Sequence, residues 1–174
     1  MVVRIGVGFG GWPFQGPDPD YLWDYVERAE ALDIDSIWLS DRIVSSVLSM
    51  EPIVALSFIA ARTTKLKFGT SVLALPLRNP TVLAKEIATL DFLSKGRALP
   101  AVGLGTDDES EFEACGSSRS QRAGRTDEAI QVMRLLWSQD DVTFHGRYFT
   151  LNNVSVQPRP VQEELPPLWI GGRS

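Results

Sequence analysis

The sequence predicts an α/β fold built on a parallel sheet, and three observations carry that expectation. Segments with apolar residues at every second position alternate with segments at helical spacing, and the alternation repeats four times. The strand segments read as nearly continuous apolar runs, as strands covered on both faces do. Glycine or small polar residues follow each strand segment, which is where both common parallel architectures bind ligands. Right-handed crossovers then leave two arrangements open, a doubly wound open sheet and a (β/α)8 barrel.

The elements follow in order. Val3, Ile5, Val7 and Phe9 alternate and predict a first strand. Asp18 and Pro19 read as the cap and first residue of a helix carrying Leu22, Tyr25, Val26, Ala29 and Leu32 on one face. The run from Asp35 to Ser40 is a short second strand, and Pro52 opens an apolar helix reaching about Thr63. Lys65 to Leu75 predicts a third strand. Asn79 as cap, Pro80 as first residue and Gly96 as stop delimit the next helix. Arg97 to Gly105 predicts a fourth strand, and a helix over about Ser120 to Ser138 follows a polar stretch. Two β-rich runs flanking His145-Gly146 predict a hairpin with a two-residue turn. A proline-rich connector then leads to "LWIGG", a fifth strand. The residues after the strands are Gly10-Gly11, Ser40-Asp41-Arg42, Thr70-Ser71, Gly105 to Asp108, and Gly171 to Ser174.

Composition narrows the function. The 174 residues are 44% hydrophobic and 22% charged, an ordinary globular balance for one domain spanning 1–174. A net charge of −5 without a basic run argues against nucleic acid as a partner. The longest apolar stretch, Pro52 to Ala61, is too short to cross a bilayer, and the N-terminus lacks the pattern of a signal peptide. Single copies of cysteine (Cys115) and histidine (His145) exclude an internal disulfide and a two-histidine metal site and make a cytoplasmic setting the expectation. Cys115 and the tryptophans at 38, 137 and 169 are read as packing residues, Asp107, Glu109 and Glu111 as a solvated acidic run, and Arg97 as a partner for a carboxylate such as Asp91. Trp12 and Phe14, in the loop after the first strand, read either as a wall of a substrate pocket or as a lid on the core beneath.

The ordered set "IWLSDR", "LKFGTSVLALPLRNPTVLAKEIATLDFLSKGR", "VGLGTDDESEFEACG", "RTDEAIQVMRLLW", "FHGRYFTL" and "LPPLWIGG" resembles the luciferase-like monooxygenase family. The resemblance covers nearly the whole chain and is most specific from Gly69 to Arg97. It implies a TIM-barrel type (β/α)8 fold truncated after about five strands, a partial barrel with a β-hairpin insertion before the fifth. Barrels of this class run to about 250 residues, so the chain is expected to be the N-terminal part of a longer protein or a shortened relative.

The resemblance also implies roles. The cofactor would be FMN or coenzyme F420. Ser71-Val72 would lie against its ring, often at a cis peptide bond in the family, and Gly105-Thr106 would approach its tail or ring edge. Gly171, Gly172 and Ser174 would form a phosphate cradle. Asp41, Arg42 and Asp108 are the expected catalytic positions, acting on a small organic substrate. Many relatives carry histidine where this chain has Arg42, and an arginine is a poor base at neutral pH. Bland alternatives stand beside these roles: Ser71 as a small inward residue, Arg42 in a surface ion pair. The functional expectation is a flavin- or F420-dependent oxidoreductase or monooxygenase that forms homo-oligomers. The alternative is an inactive partial barrel that associates with another chain. An open nucleotide-binding domain lacks its glycine spacing after the first strand.

Overall fold

A computed structural model of the chain describes residues 3–162 and 166–172. Its frame is a curved layer of parallel strands that add in chain order. β1 (Gly6–Phe9) pairs with β2 (Ser36–Leu39), and β2 with β3 (Lys67–Thr70). After two residues the third strand resumes as β4 (Leu73–Ala74). The fourth is likewise split into β5 (Ala98–Leu99) and β6 (Ala101–Gly103), because Pro100 between them has no amide to give the ladder. β3 pairs with β5, β4 with β6, and β6 with β9 (Trp169–Ile170), every pairing parallel. A doubly wound sheet reverses its strand order at a switch point. This arc does not, and it closes into no barrel.

Helices cover the outer face. α1 (Asp20–Ala31), α2 (Pro52–Arg62), α3 (Pro80–Ser94) and α5 (Arg122–Ser138) follow the strands as the periodicity predicts, and α4 (Glu109–Ala114) is a short addition within the expected polar stretch. Asn79 caps α3 through the amides of Thr81 (2.9 Å) and Val82 (3.2 Å), with Pro80 at the first position. One cluster buries Val26, Ile37, Leu56, Ile59 and Phe68 under α1 and α2. A second buries Leu73, Leu83, Val102, Met133, Leu136 and Trp137 under α3 and α5.

The inner face is lined differently. A Cβ on Gly6 or Gly69 would collide with the Trp38 indole, so these two glycines form a flat bed for the ring, while one on Gly8 would meet the Trp38 carbonyl oxygen and Cβ. The Trp38 ring lies 5.8 Å from that of Trp169 on β9. Three strand spacings separate β2 from β9, about 14 Å in a flat sheet, so contact between rings on one face requires the sheet to curl. Trp169 nevertheless remains 55% exposed, as no strand among the described residues covers the inner side of β9. This corrects the expectation that it is core, whereas Trp137 is buried as expected.

The hairpin of β7 (Val142–His145) and β8 (Thr150–Val154) packs on α5. Its turn is longer than the two residues expected, since His145 pairs with Thr150. Glu128 on α5 explains why: its carboxylate accepts the amides of Arg147 (2.8 Å), Tyr148 (2.9 Å) and Phe149 (3.3 Å) and holds them in a wider loop.

Candidate functional site

The carboxyl ends of the strands meet on the inner rim. The peptide between Ser71 and Val72 is cis. It occupies the two-residue break between β3 and β4 and is anchored by the Ser71 amide donating to Leu39 O (2.7 Å) and the Ser40 hydroxyl donating to Ser71 O (3.0 Å). Val72 lies between two glycines from neighbouring strands: a Cβ on Gly103 would come within 2.7 Å of its side chain and one on Gly171 within 2.6 Å. Gly171 is fixed by its amide donating to Val102 O at 2.8 Å, and Gly172 faces open space. Gly105 has φ +78° and turns the chain after β6 into the loop of Thr106. Ser71, Val72, Gly105, Thr106, Gly171 and Gly172 therefore stand on three adjacent strand ends. Ser174 lies outside the described residues.

The Asp41 side chain is 1% exposed and committed to structure. It accepts from the Ala74 amide (3.0 Å) and from Arg78 Nε (3.2 Å) and Nη2 (2.8 Å), while Arg78 also meets Glu51 at 2.9 Å. Burial disfavours the Arg78 charge, but its bonds to Asp41 and Glu51 outweigh this and raise its pKa. Arg42 turns to the rim, where Nη2 lies 3.7 Å from Asp108 Oδ2 and both side chains are about two-fifths exposed, at 42% and 40%. Arg42 also donates from Nε to Val44 O at 3.2 Å. The loop that follows Asp41 encloses an open hollow of about 570 Å³, lined by Arg42, Ile43, Val47, Leu48 and Glu51 among others.

Asp108 caps α4 through Ser110, accepting its amide at 3.1 Å and its hydroxyl at 2.7 Å. These bonds, with Arg42 beside it, hold its carboxyl below the usual range, so at neutral pH it serves as an acceptor. Asp107 next to it meets Arg122 (2.8 Å) and Arg119 (3.0 Å), which likewise lower its pKa. Phe14 packs on Phe9, Tyr21 and Tyr25, and Trp12 packs on Phe14, so this pair lids the chain's own core.

Two expectations about neighbouring charges need correction. Arg97 does not pair with Asp91. It donates to Thr63 Oγ1 (2.8 Å), Leu66 O (2.9 Å), Ala60 O (2.7 Å) and Ser94 O (3.0 Å), tying α2, α3 and the start of β3 together. Asp91 instead accepts from the Val161 amide and the Gln162 side chain. Glu111 is not a solvated acid but 1% exposed, with Oε1 accepting the amides of Ile43 (2.8 Å) and Val44 (3.2 Å) and Oε2 the Thr106 hydroxyl (2.9 Å). The spacing Asp108 to Glu111 before buried Phe112 is that of a capping box, a sequence signal for a helix start, but here the glutamate bonds Ile43, Val44 and Thr106 in place of the cap amide.

The luciferase-like monooxygenase profile matches residues 2–174. The chain belongs to the luciferase-like monooxygenase family. It is 38% identical over 160 residues to an F420-dependent glucose-6-phosphate dehydrogenase of Kineococcus radiotolerans, a match covering 87% of this chain and 46% of that protein. It is 33% identical over 117 residues to an FMNH2-dependent dimethylsulfone monooxygenase of Pseudomonas putida, covering 66% of this chain and 32% of the relative. The chain thus spans about half the length of the curated relatives it matches. Among solved structures, an F420-dependent secondary alcohol dehydrogenase in complex with an F420–acetone adduct superposes with a TM-score of 0.80 at 27% identity, over 98% of this chain and 53% of that one. Monooxygenase RslO1 from Streptomyces bottropensis superposes with a TM-score of 0.86 at 22% identity, covering 97% and 53%, and establishes the shared α/β fold. No helix among the described residues is long and apolar enough to cross a membrane.

Proposed function

We propose that this family member forms the first five strands of a (β/α)8 oxidoreductase and carries the face on which a reduced FMN or F420 ring rests. The observation that carries the reading is the convergence of Ser71-Val72, Gly103-Gly105 and Gly171-Gly172 from three adjacent strand ends. The fit is steric and chemical. The glycines leave the rim low around Val72, Gly172 is open to an approaching group, and Ser71 and Thr106 bring hydroxyls to the same rim. Ser71-Val72 would support the ring face, Gly105-Thr106 its edge or tail, and Gly171, Gly172 and Ser174 the phosphate. Bound FMN supplies oxygen activation for monooxygenation, and bound F420 supplies hydride chemistry.

The chain's own residues set the surroundings. Asp41 positions Arg78 and the start of β4 rather than meeting substrate. Arg42 and Asp108 place a cation and an anion at the edge of the hollow after β2. There the cation would attract the reduced cofactor's negative charge or the anionic part of a small organic substrate, and Asp108, held ionised, would accept a hydrogen bond. Asp108, its carboxyl held below the usual range, is not suited to donate a proton at neutral pH.

A second reading is favoured by the rim's open sides. Ile170 on β9 is 68% exposed, and Ile5 just before β1 is 60% exposed. An arc whose two edges meet no further strand among the described residues is a surface for another chain, including a second copy in a homo-oligomer. Titration of the chain with FMN and with F420, followed by cofactor fluorescence, separates the two readings. Saturable binding that Gly172→Val weakens by about tenfold, or about 1.4 kcal/mol, supports the cofactor face. Absence of binding together with a concentration-dependent dimer in sedimentation supports the association reading.

A further inference from the structure

We infer that Glu111 is a positioning residue of this site, a buried carboxylate that orders the loop carrying Arg42 and locks it to the Thr106 turn. The inference rests on the cofactor-face reading for its functional consequence and on geometry alone for its structural part. A glutamate is almost never fully buried without compensation, yet the hydrogen-bond partners of Glu111 are all neutral: the Ile43 and Val44 amides on one oxygen and the Thr106 hydroxyl on the other. These partners belong to two different strand ends, one after β2 and one after β6. Arg42 precedes Ile43 directly, and Asp108 starts the helix that carries Glu111. One carboxylate thereby holds both members of the Arg42–Asp108 pair from behind. Ser49, whose hydroxyl donates to Arg42 O at 3.3 Å, secures the loop at its far end.

The same contact fixes the character of Thr106. A hydroxyl has one hydrogen, and here it is directed at Glu111. The Asp108 amide donates to Thr106 Oγ at 3.3 Å. What Thr106 offers to a ligand is therefore a lone pair, suited to an N–H or O–H of the ligand and unsuited to a carbonyl or phosphate oxygen. In Glu111→Gln the amide oxygen can still take the Ile43 and Val44 amides, while its NH2 turns the Thr106 hydroxyl around.

The test compares Glu111→Gln, Glu111→Ala, Arg42→Ala and the double variant Arg42→Ala/Glu111→Ala in the full chain. The readouts are amide hydrogen exchange, thermal melting, and FMN and F420 titration. Glu111→Ala is expected to lose protection at Ile43 and Val44 while Phe68, in the sheet, keeps its own. Glu111→Gln is expected to retain protection at both amides and to lower cofactor affinity by roughly tenfold. The double variant is expected to bind no more weakly than Glu111→Ala alone, because Arg42 is already unplaced. Unchanged protection at Ile43 and Val44 in Glu111→Ala, or a uniform loss across all amides in step with melting, overturns the inference. So does additive loss in the double variant. If Glu111→Ala does not fold, loss of protection at the two amides in Glu111→Gln overturns it and retention supports it. If the parent chain binds neither cofactor, the cofactor-face reading falls, and exchange at Ile43 and Val44 still decides whether Glu111 orders the loop.

Discussion

At the residue scale, two acidic side chains paired with arginines behave in opposite ways, and burial decides between them. Asp41 forms a bidentate pair with an Arg78 whose side chain is 15% exposed. Asp41→Ala would leave that guanidinium to Glu51 alone and the Ala74 amide without its acceptor, and is expected to cost about 1–3 kcal/mol in urea denaturation. Arg42→Ala removes a pair exposed on both sides, and its effect on the same measurement is expected to stay below about 1 kcal/mol. Glu30 links stability to pH. Burial alone pushes its carboxyl up, but the Lys65 and Thr64 amides, both 2.6 Å away, outweigh that and leave it below its ordinary 4.5. A lowered carboxylate stabilises the fold above its ordinary value and loses that contribution as pH falls through the lower folded value. The urea midpoint of the parent should therefore drop on acidification below 4.5 more steeply than that of Glu30→Gln. Single residues were the least legible part of the sequence. Glu111 stands among Asp107, Asp108, Glu109 and Glu113, and nothing in an acidic run reveals which member faces inward until the helix start at Asp108 is known. The partners of Arg97 are hidden for a related reason: they are three carbonyls and one hydroxyl, which leave no mark in the sequence.

At the element scale, helices and strands were readable because their periods differ and their ends carry proline, asparagine and glycine. The breaks within strands were harder. Pro100 announces the gap between β5 and β6, whereas nothing in the run from Lys65 to Leu75 announces the gap at Ser71-Val72, where the family resemblance implies only the cis peptide bond. The hairpin was visible in its β-rich runs, but its turn was not, since the three amides it gathers are satisfied by Glu128 about twenty residues upstream. Glu128→Ala leaves those amides without their acceptor and is expected to cost about 1–3 kcal/mol in urea denaturation, with exchange at Arg147 to Phe149 accelerated first. Gly69→Ala tests the inner bed of β3. The new methyl would overlap the Leu99 carbonyl oxygen and the Trp38 ring. A clear fall in melting temperature and a red shift of tryptophan emission are the expected outcomes.

At the scale of the whole molecule, parallel strands and convergent strand ends are legible in the periodicity, while curvature is legible only through the family resemblance. The contact of Trp38 with Trp169 joins residues more than a hundred positions apart and needs the glycine bed beneath it. The exposed edge of β9 carries its own prediction. Ile170→Lys places a charge on an apolar edge and should shift sedimentation of the chain toward the smaller species without lowering its melting temperature.

Strand order has a further consequence, for the time course of synthesis. Every parallel strand lies beside the one made immediately before it, so each newly emerged segment meets a docking ledge already laid down. The nascent polypeptide can therefore build its layer during translation, one βα unit after another. The longest wait falls between β6 and β9, while α4, α5 and the hairpin leave the ribosome and the Gly103 side of the rim stays bare.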